Sequence, residues 1–435
     1  MIHAPGLRLR VTLSSTCLAT ALALAAITPA VAADASPAPE SPAVPDPVLA
    51  SPAPSATVVP SPLVLTDEPR PAVASKLPGA EAIAAGHGRY VAVGTRGASG
   101  RRAVAWVSAD GVTWDDASIA GARPGRHMVA VTPTSDGFVA LGYARKLDGA
   151  KSSRILAWYS SDGTEWERAS IRRPALRGFD AFPDGLADGP AGQLALGKFS
   201  GQDIAGQRLW HSADGQSWAP TPLPDVEGAI WYTVMAVPDG YLLSGQSGEW
   251  RDGDYATEHS NWRSTDGVTW EELEGLPSWA LAAAPDGTVV AIGGTDIWRS
   301  SDLAEWEQVW SVPAEWATRS GDVAFERRYG PRAVFEWVEW AGDRFLLTGR
   351  DYAACDPQTD GYGEECMRYP LLQSADGRTW TQVNGPEGWV GIDSDTWFED
   401  VASDGDSTVL LDVSGDGPPV VRRIENEPLN TAAIE

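Results

Sequence analysis

The side chains best suited to chemistry recur as a set. A serine, an aspartate two positions on and a tryptophan four further along are written six times. The copies are SADGVTW from Ser108, SSDGTEW from Ser160, SADGQSW from Ser212, STDGVTW from Ser264, SSDLAEW from Ser300 and SADGRTW from Ser374. Their carboxylates, Asp110, Asp162, Asp214, Asp266, Asp302 and Asp376, are the first candidates for general acids or metal ligands. The setting argues otherwise. A short acidic side chain accepts hydrogen bonds from the amides of its own turn, and the glycine that usually follows permits a backbone angle denied to other residues. Repetition itself assigns such a set to the scaffold. Structural roles are expected for all six, with the fifth copy degenerate because Leu303 follows Asp302.

Other chemistry is thinly represented. No glycine-rich phosphate loop, His-Glu-x-x-His or Gly-x-Ser-x-Gly string occurs, and the five histidines are dispersed, so neither a metal nor a cofactor is expected. Asp254, Glu258, Asp351, Asp393 and Asp395 fall on candidate loops; a glycosidase would need two such carboxylates roughly 5–10 Å apart across a cleft. Cys355 and Cys366, in DYAACDPQTDGYGEECMRY, read as one disulfide if the chain is exported. The acids between and beside them could supply oxygens to an ion, but a solvated acidic loop is the preferred reading.

The elements that position these residues follow from a second repeated string. YVAVG ends at Gly94, FVALG at Gly142, QLALG at Gly197, YLLSG at Gly245, VVAIG at Gly293, FLLTG at Gly349 and TVLLD at Asp412. Hairpin signals precede many copies: SDG at 135–137, PDG at 238–240 and PDG at 285–287. Each unit reads as strand, tight turn, apolar strand, variable loop, strand with a tryptophan, box turn, strand. That is a four-stranded antiparallel meander, the pattern of one propeller blade. The first four boxes begin 52 residues apart, and residues 77–435 shared among seven units give about 51 each. An all-β fold, a single seven-bladed β-propeller, is expected. The last unit supplies three strands, so a segment before the first blade, SPLVLTD at 61–67, is the candidate to fill the gap and remove two exposed edges.

The box string is similar to the Asp-box, or bacterial neuraminidase repeat, of sialidase-like β-propellers, in a form one residue shorter with Asp and Gly adjacent. The resemblance spans about 350 residues and is a statement about fold. It implies no catalytic residues. Sialidases are marked by three arginines, one in an F/Y-R-I-P motif, with an Asp acid/base and a Tyr–Glu nucleophile. The nearest strings here, IRRPAL at Ile171 and VRRIEN at Val421, depart from it.

Composition bounds the partners. With 33 Lys and Arg against 59 Asp and Glu, the net charge of −26 disfavours nucleic acid and anionic membranes. Arg8 and Arg10 precede an uncharged stretch that ends at Ala30-Val31-Ala32, which reads as an export signal over residues 1–33. Residues 34–76 form a Pro/Ala/Ser tract that reads as an extended linker, part of it a candidate closing strand. A secreted or cell-surface monomer is expected, with no membrane insertion once the signal is removed.

Tryptophan points to a site. Eleven of the 20 follow the repeat, while Trp231, Trp250, Trp279, Trp310, Trp316, Trp337, Trp340, Trp389 and Trp397 do not. In a meander, turns 1–2 and 3–4 share one face, which places the boxes opposite the longer, irregular loops. Binding loops on a rigid frame concentrate function. Trp231, Trp250, Trp279 and Trp389 are therefore the candidate ligand-binding residues, suited to stacking on sugar rings or to packing between blades. Two functions stay open at this point: a non-catalytic binding or scaffolding module, for carbohydrate or an extracellular protein, and a divergent sialidase-like glycoside hydrolase.

Overall fold

The computed structural model describes residues 73–97, 101–145, 153–172, 180–200, 205–251, 254–273, 276, 280–293, 296–311, 333–351, 371–382, 398–412 and 418–426. These residues contain no helix and form seven antiparallel sheets arranged as a seven-bladed propeller. Blade 1 is built from Ala80–Gly86, Arg89–Arg96, Arg102–Ser108 and Asp115–Asp116, in that order across the sheet. Blades 2 to 6 repeat the meander, starting from Arg126–Thr134, Asp180–Gly189, Ile230–Val237, Ala280–Ala283 and Ala333–Trp340. First strands of successive blades pack on one another from blade 1 to blade 6, blades 6 and 7 meet through Leu346, Leu371, Val401 and Leu410, and the first strand of blade 7 packs on that of blade 1, which closes the ring.

Blade 7 supplies Phe398–Ser403, Ser407–Asp412 and Val420–Glu425, and its fourth place is taken by Val73–Lys76 from the other end of the chain. The expected closure is present, but the strand is not the one expected. Val73 stands opposite Arg423 and Lys76 opposite Val420, so the pairing begins where the Pro-rich tract ends. Residues 61–67 lie outside the described residues, as do the signal segment and the two cysteines. VASK carries an amide donor at all four positions, as a strand covering the open edge requires.

The hydrophobic core is divided into layers between blades. Seven clusters of buried side chains each draw on adjacent blades. Between blades 1 and 2, for example, Val91, Val93 and Ala105 meet Phe138, Leu156 and Trp158. Alternation along each central strand sends one set of side chains to each neighbouring blade. That explains why the repeated string is apolar on both faces.

Two features escape the sequence pattern. After blade 1, Ser118–Ile119 crosses over and pairs in parallel with the outer strand of blade 2, opposite Glu165 and Trp166. Ser170–Ile171 does the same to blade 3. The first strand also carries a one-residue bulge at equivalent places in six blades, at Glu81, Val129, Asp184, Tyr232, Glu336 and Glu399. The glycine ending the repeated string sits against this bulge. A Cβ on Gly142 would lie 1.8 Å from the His127 carbonyl oxygen, so no larger residue fits.

Candidate functional site

The box carboxylates hold their turns. Asp110 Oδ1 accepts from the amides of Val112 at 2.8 Å and Thr113 at 2.7 Å, and from Ser108 Oγ at 3.0 Å. Asp214, Asp266, Asp302 and Asp376 repeat this pattern. Asp162 adds a bond from Thr164 Oγ1 to its Oδ2 at 2.5 Å. These bonds favour the ionised carboxylate. Hydrogen bonds from the Thr113 amide first, and then the Val112 amide, hold Asp110 down at about 2. The Thr164 hydroxyl does the same for Asp162, and the Thr269 amide for Asp266, both lowered to about 2. A carboxylate held in this way is a poor proton donor near neutrality.

The fifth box is less degenerate than its sequence suggests. Leu303 adopts φ 64°, the left-handed angle its glycine counterparts adopt. The amides of Ala304 and Glu305 still reach Asp302 Oδ1, each at 2.9 Å. The indole of Trp166 donates to the carbonyl of Gly163 at 2.9 Å, and Trp218 and Trp380 make the same bond in their boxes. These tryptophans lock the turn to the sheet.

Hairpins and boxes share one face. A Cβ on Gly240, in the 1–2 turn of blade 4, would lie 1.9 Å from the carbonyl oxygen of Ser264, which opens that blade's box. The opposite face receives the starts of the first strands and the ends of the second. The bulged ends of the inner strands lie on that face, and bulges re-aim side chains at such rims.

The four candidate tryptophans fare differently on this face. Trp231 is 2% exposed and packs with Leu194, Leu196, Leu209 and Leu243 in the layer between blades 3 and 4. Its backbone is held by Gln207, whose Oε1 accepts from the Trp231 amide and whose Nε2 donates to the Trp231 carbonyl. Trp231 is a packing residue, which corrects its assignment to ligand binding: an indole enclosed by leucines has no open face. Trp250 lies in the long second strand Gly240–Arg251, opposite Tyr255. Trp279 and Trp389 lie outside the described residues. Among the described residues, no group of three or more His, Cys, Asp or Glu is placed to hold a metal ion.

A cluster on blades 2 to 4 contains none of the tryptophans or acids that the sequence singled out. Phe182 is 39% exposed near the start of the first strand of blade 3. Its ring meets Tyr143 edge-on at 5.0 Å, and Tyr143 stacks flat on the buried His127 at 4.5 Å. His127 is fixed by a 3.1 Å bond between Nδ1 and Thr95 Oγ1. Directly across the strand pair from Phe182 stands Lys198, whose Nζ lies 2.6 Å from Asp184 Oδ2, and Asp184 is the bulge residue of that blade. Ile230, 42% exposed, holds in blade 4 the place of Phe182 in blade 3, two residues before the bulge. The signal available in the sequence was positional rather than compositional.

No family model matches the chain, and no curated protein matches it. Solved structures do. An α-L-arabinofuranosidase from Fusarium graminearum matches with 13% identity and a TM-score of 0.41, over 65% of this chain and 92% of that one. The β-propeller domain of the Trilobed protease from Pyrococcus furiosus matches with 9% identity and a TM-score of 0.46, over 81% and 97%. An α-L-arabinanase from Penicillium chrysogenum matches with 13% identity and a TM-score of 0.36, over 67% and 91%. This chain has the β-propeller fold. The seven sheets of the chain itself establish it, and these likenesses, all with TM-scores under 0.5, add nothing to it.

Proposed function

We propose that this chain is an exported Asp-box β-propeller that binds carbohydrate through its loop-bearing face without catalysing a reaction. One observation carries the reading: the carboxylates that recur most regularly each accept, through Oδ1, from the amides of their own turns. The repeat is thereby occupied with structure, and recognition is left to the opposite rim. Exposed aromatic and aliphatic side chains gather there beside a paired carboxylate and ammonium, a combination suited to neutral ligands. The net charge of −26 disfavours phosphorylated or polyanionic ones. In this reading residues 1–33 direct export and the Pro-rich tract up to the closing strand is an extended linker.

The test pairs a glycan array with a screen of fluorogenic glycosides, using the secreted protein. Binding to a defined set of neutral glycans with no turnover is the expected result. Hydrolysis above blank for any glycoside would replace this reading with that of a divergent glycoside hydrolase, and a blank array would remove carbohydrate as the ligand.

A further inference from the structure

We infer that Phe182, Tyr143, Lys198 and Asp184 form a subsite for one neutral pyranose ring, placed on the loop-bearing rim where blades 2 and 3 meet. The inference rests on the carbohydrate reading above and names the residues that would perform it. Phe182 offers an apolar ring that is 39% exposed, one of three exposed large apolar side chains among the described residues and the only aromatic one of the three. Its orientation is set from behind: Tyr143 contacts it edge-on at an interplanar angle of 72°, and Tyr143 lies flat on His127 at 5°. His127 is 6% exposed and bonded to Thr95. This chain of contacts runs from blade 1 to blade 3, so the exposed ring is braced by three blades. Ordered aromatic platforms of this kind lose little conformational entropy on binding.

The polar partners stand at the right place to read hydroxyl groups. Lys198 is the cross-strand partner of Phe182, and its ammonium is 2.6 Å from the Asp184 carboxylate. The Lys198 side chain is 34% exposed, while the Asp184 side chain is 13% exposed with its paired Oδ2 buried, so the ammonium is the reachable end of a pair held in place from below. An ammonium only donates and a carboxylate only accepts. A ring hydroxyl accepts from an N–H of Nζ not directed at Asp184, while the C–H face of the ring covers Phe182 and Asp184 holds the ammonium in position. The pair is neutral as a whole, so it demands no charge of the ligand. The bulge explains the geometry: an extra residue in the inner strand brings Asp184 toward Lys198 without disturbing the alternation that exposes Phe182.

Affinity electrophoresis through gels containing soluble starch, xylan, arabinan, mannan or mixed-linkage β-glucan provides the test. Wild-type protein should be retarded by at least one polymer. Phe182→Ala should weaken that binding by about tenfold or more, Lys198→Met should weaken it too, and Phe182→Trp should retain it. Melting temperature should fall by no more than a few degrees for Phe182→Ala and stay near wild type for Phe182→Trp, because the ring is partly exposed and the layer behind it is unchanged. If Lys198→Met unfolds, the Phe182→Ala and Phe182→Trp comparison still decides. Wild-type retardation by both Phe182→Ala and Lys198→Met would overturn this subsite while leaving a carbohydrate-binding propeller in place. Absence of retardation for the wild type by every polymer would overturn both.

Discussion

Asp162 shows what a single box residue contributes. Its Oδ1 accepts from the Thr164 amide at 2.8 Å, and its Oδ2 from the Thr164 hydroxyl at 2.5 Å. Replacing it by alanine leaves turn amides without a partner, which should lower stability by ~1–3 kcal/mol. The contribution depends on pH with a definite sign. The folded carboxyl titrates at about 2, below the ~3.9 of an unfolded aspartate. Its stabilisation is therefore complete above the unfolded value and is lost as pH falls from about 4 toward about 2. Thermal melts of wild type and Asp162→Ala across that range should converge at the acid end. A gap that stays constant down to pH 2, or a loss of ligand binding in a variant that keeps its melting temperature, would show that the box does something other than hold its turn.

At the scale of the element, the box turn is a wedge between blades. A Cβ on Gly163 of blade 2 would lie 2.6 Å from Val91 Cγ2 in blade 1, and one on Gly215 of blade 3 would lie 2.6 Å from Val139 Cγ2 in blade 2. Gly111, Gly267 and Gly377 meet Val409, Leu194 and Val290 of the preceding blade in the same way. Each box glycine is thus required twice, for its left-handed angle and for its missing side chain. Gly163→Ala should cost ~2–4 kcal/mol, combining left-handed strain with overpacking. Gly88→Ala, at a comparable angle of 70° with nothing within 4 Å, should cost only the strain. Trimming Val91 to alanine in the Gly163→Ala background should recover part of the difference, and a strictly additive double mutant would refute the wedge. The repeated strings made the strands, turns and blade number legible, because a 52-residue repeat with apolar runs at one register leaves few architectures. The wedge was not legible, since it joins residues of different repeats. The same holds for Phe182 and Lys198, brought together by strand register and a bulge that no local pattern announces. Trp231 misled for a related reason: its place beside an inner strand was readable, but its enclosure by leucines of blade 3 was not.

The whole molecule is a ring, and a ring of sheets is only as closed as its last seam. Val73–Lys76 covers the edge of Val420–Glu425, and Ser75 Oγ donates to the Val112 carbonyl at 2.6 Å, reaching the box of blade 1. Two further contacts cross the same junction without using this strand. Tyr90 of blade 1 donates its hydroxyl to the Ser407 carbonyl of blade 7 at 2.8 Å. Asp400 Oδ2, in blade 7, accepts from the Ile83 amide at 3.0 Å. Closure is thus shared between a strand that can be removed and a buried junction that cannot. Deleting residues 1–76 should lower the melting temperature by several degrees while the seven-bladed ring persists, held by those buried bonds and the apolar layer of Tyr90, Ala92, Val409 and Leu411. Amide exchange should rise in Val420–Glu425 and in the first box turn, and remain low in blades 2 to 5. The bared edge would also present unpaired backbone groups, so the truncated protein should associate at concentrations where the intact chain does not. An unchanged melting temperature would mean that the N-terminal strand covers the edge without stabilising it. Exchange rising evenly through all seven blades would mean that closure depends on the strand alone.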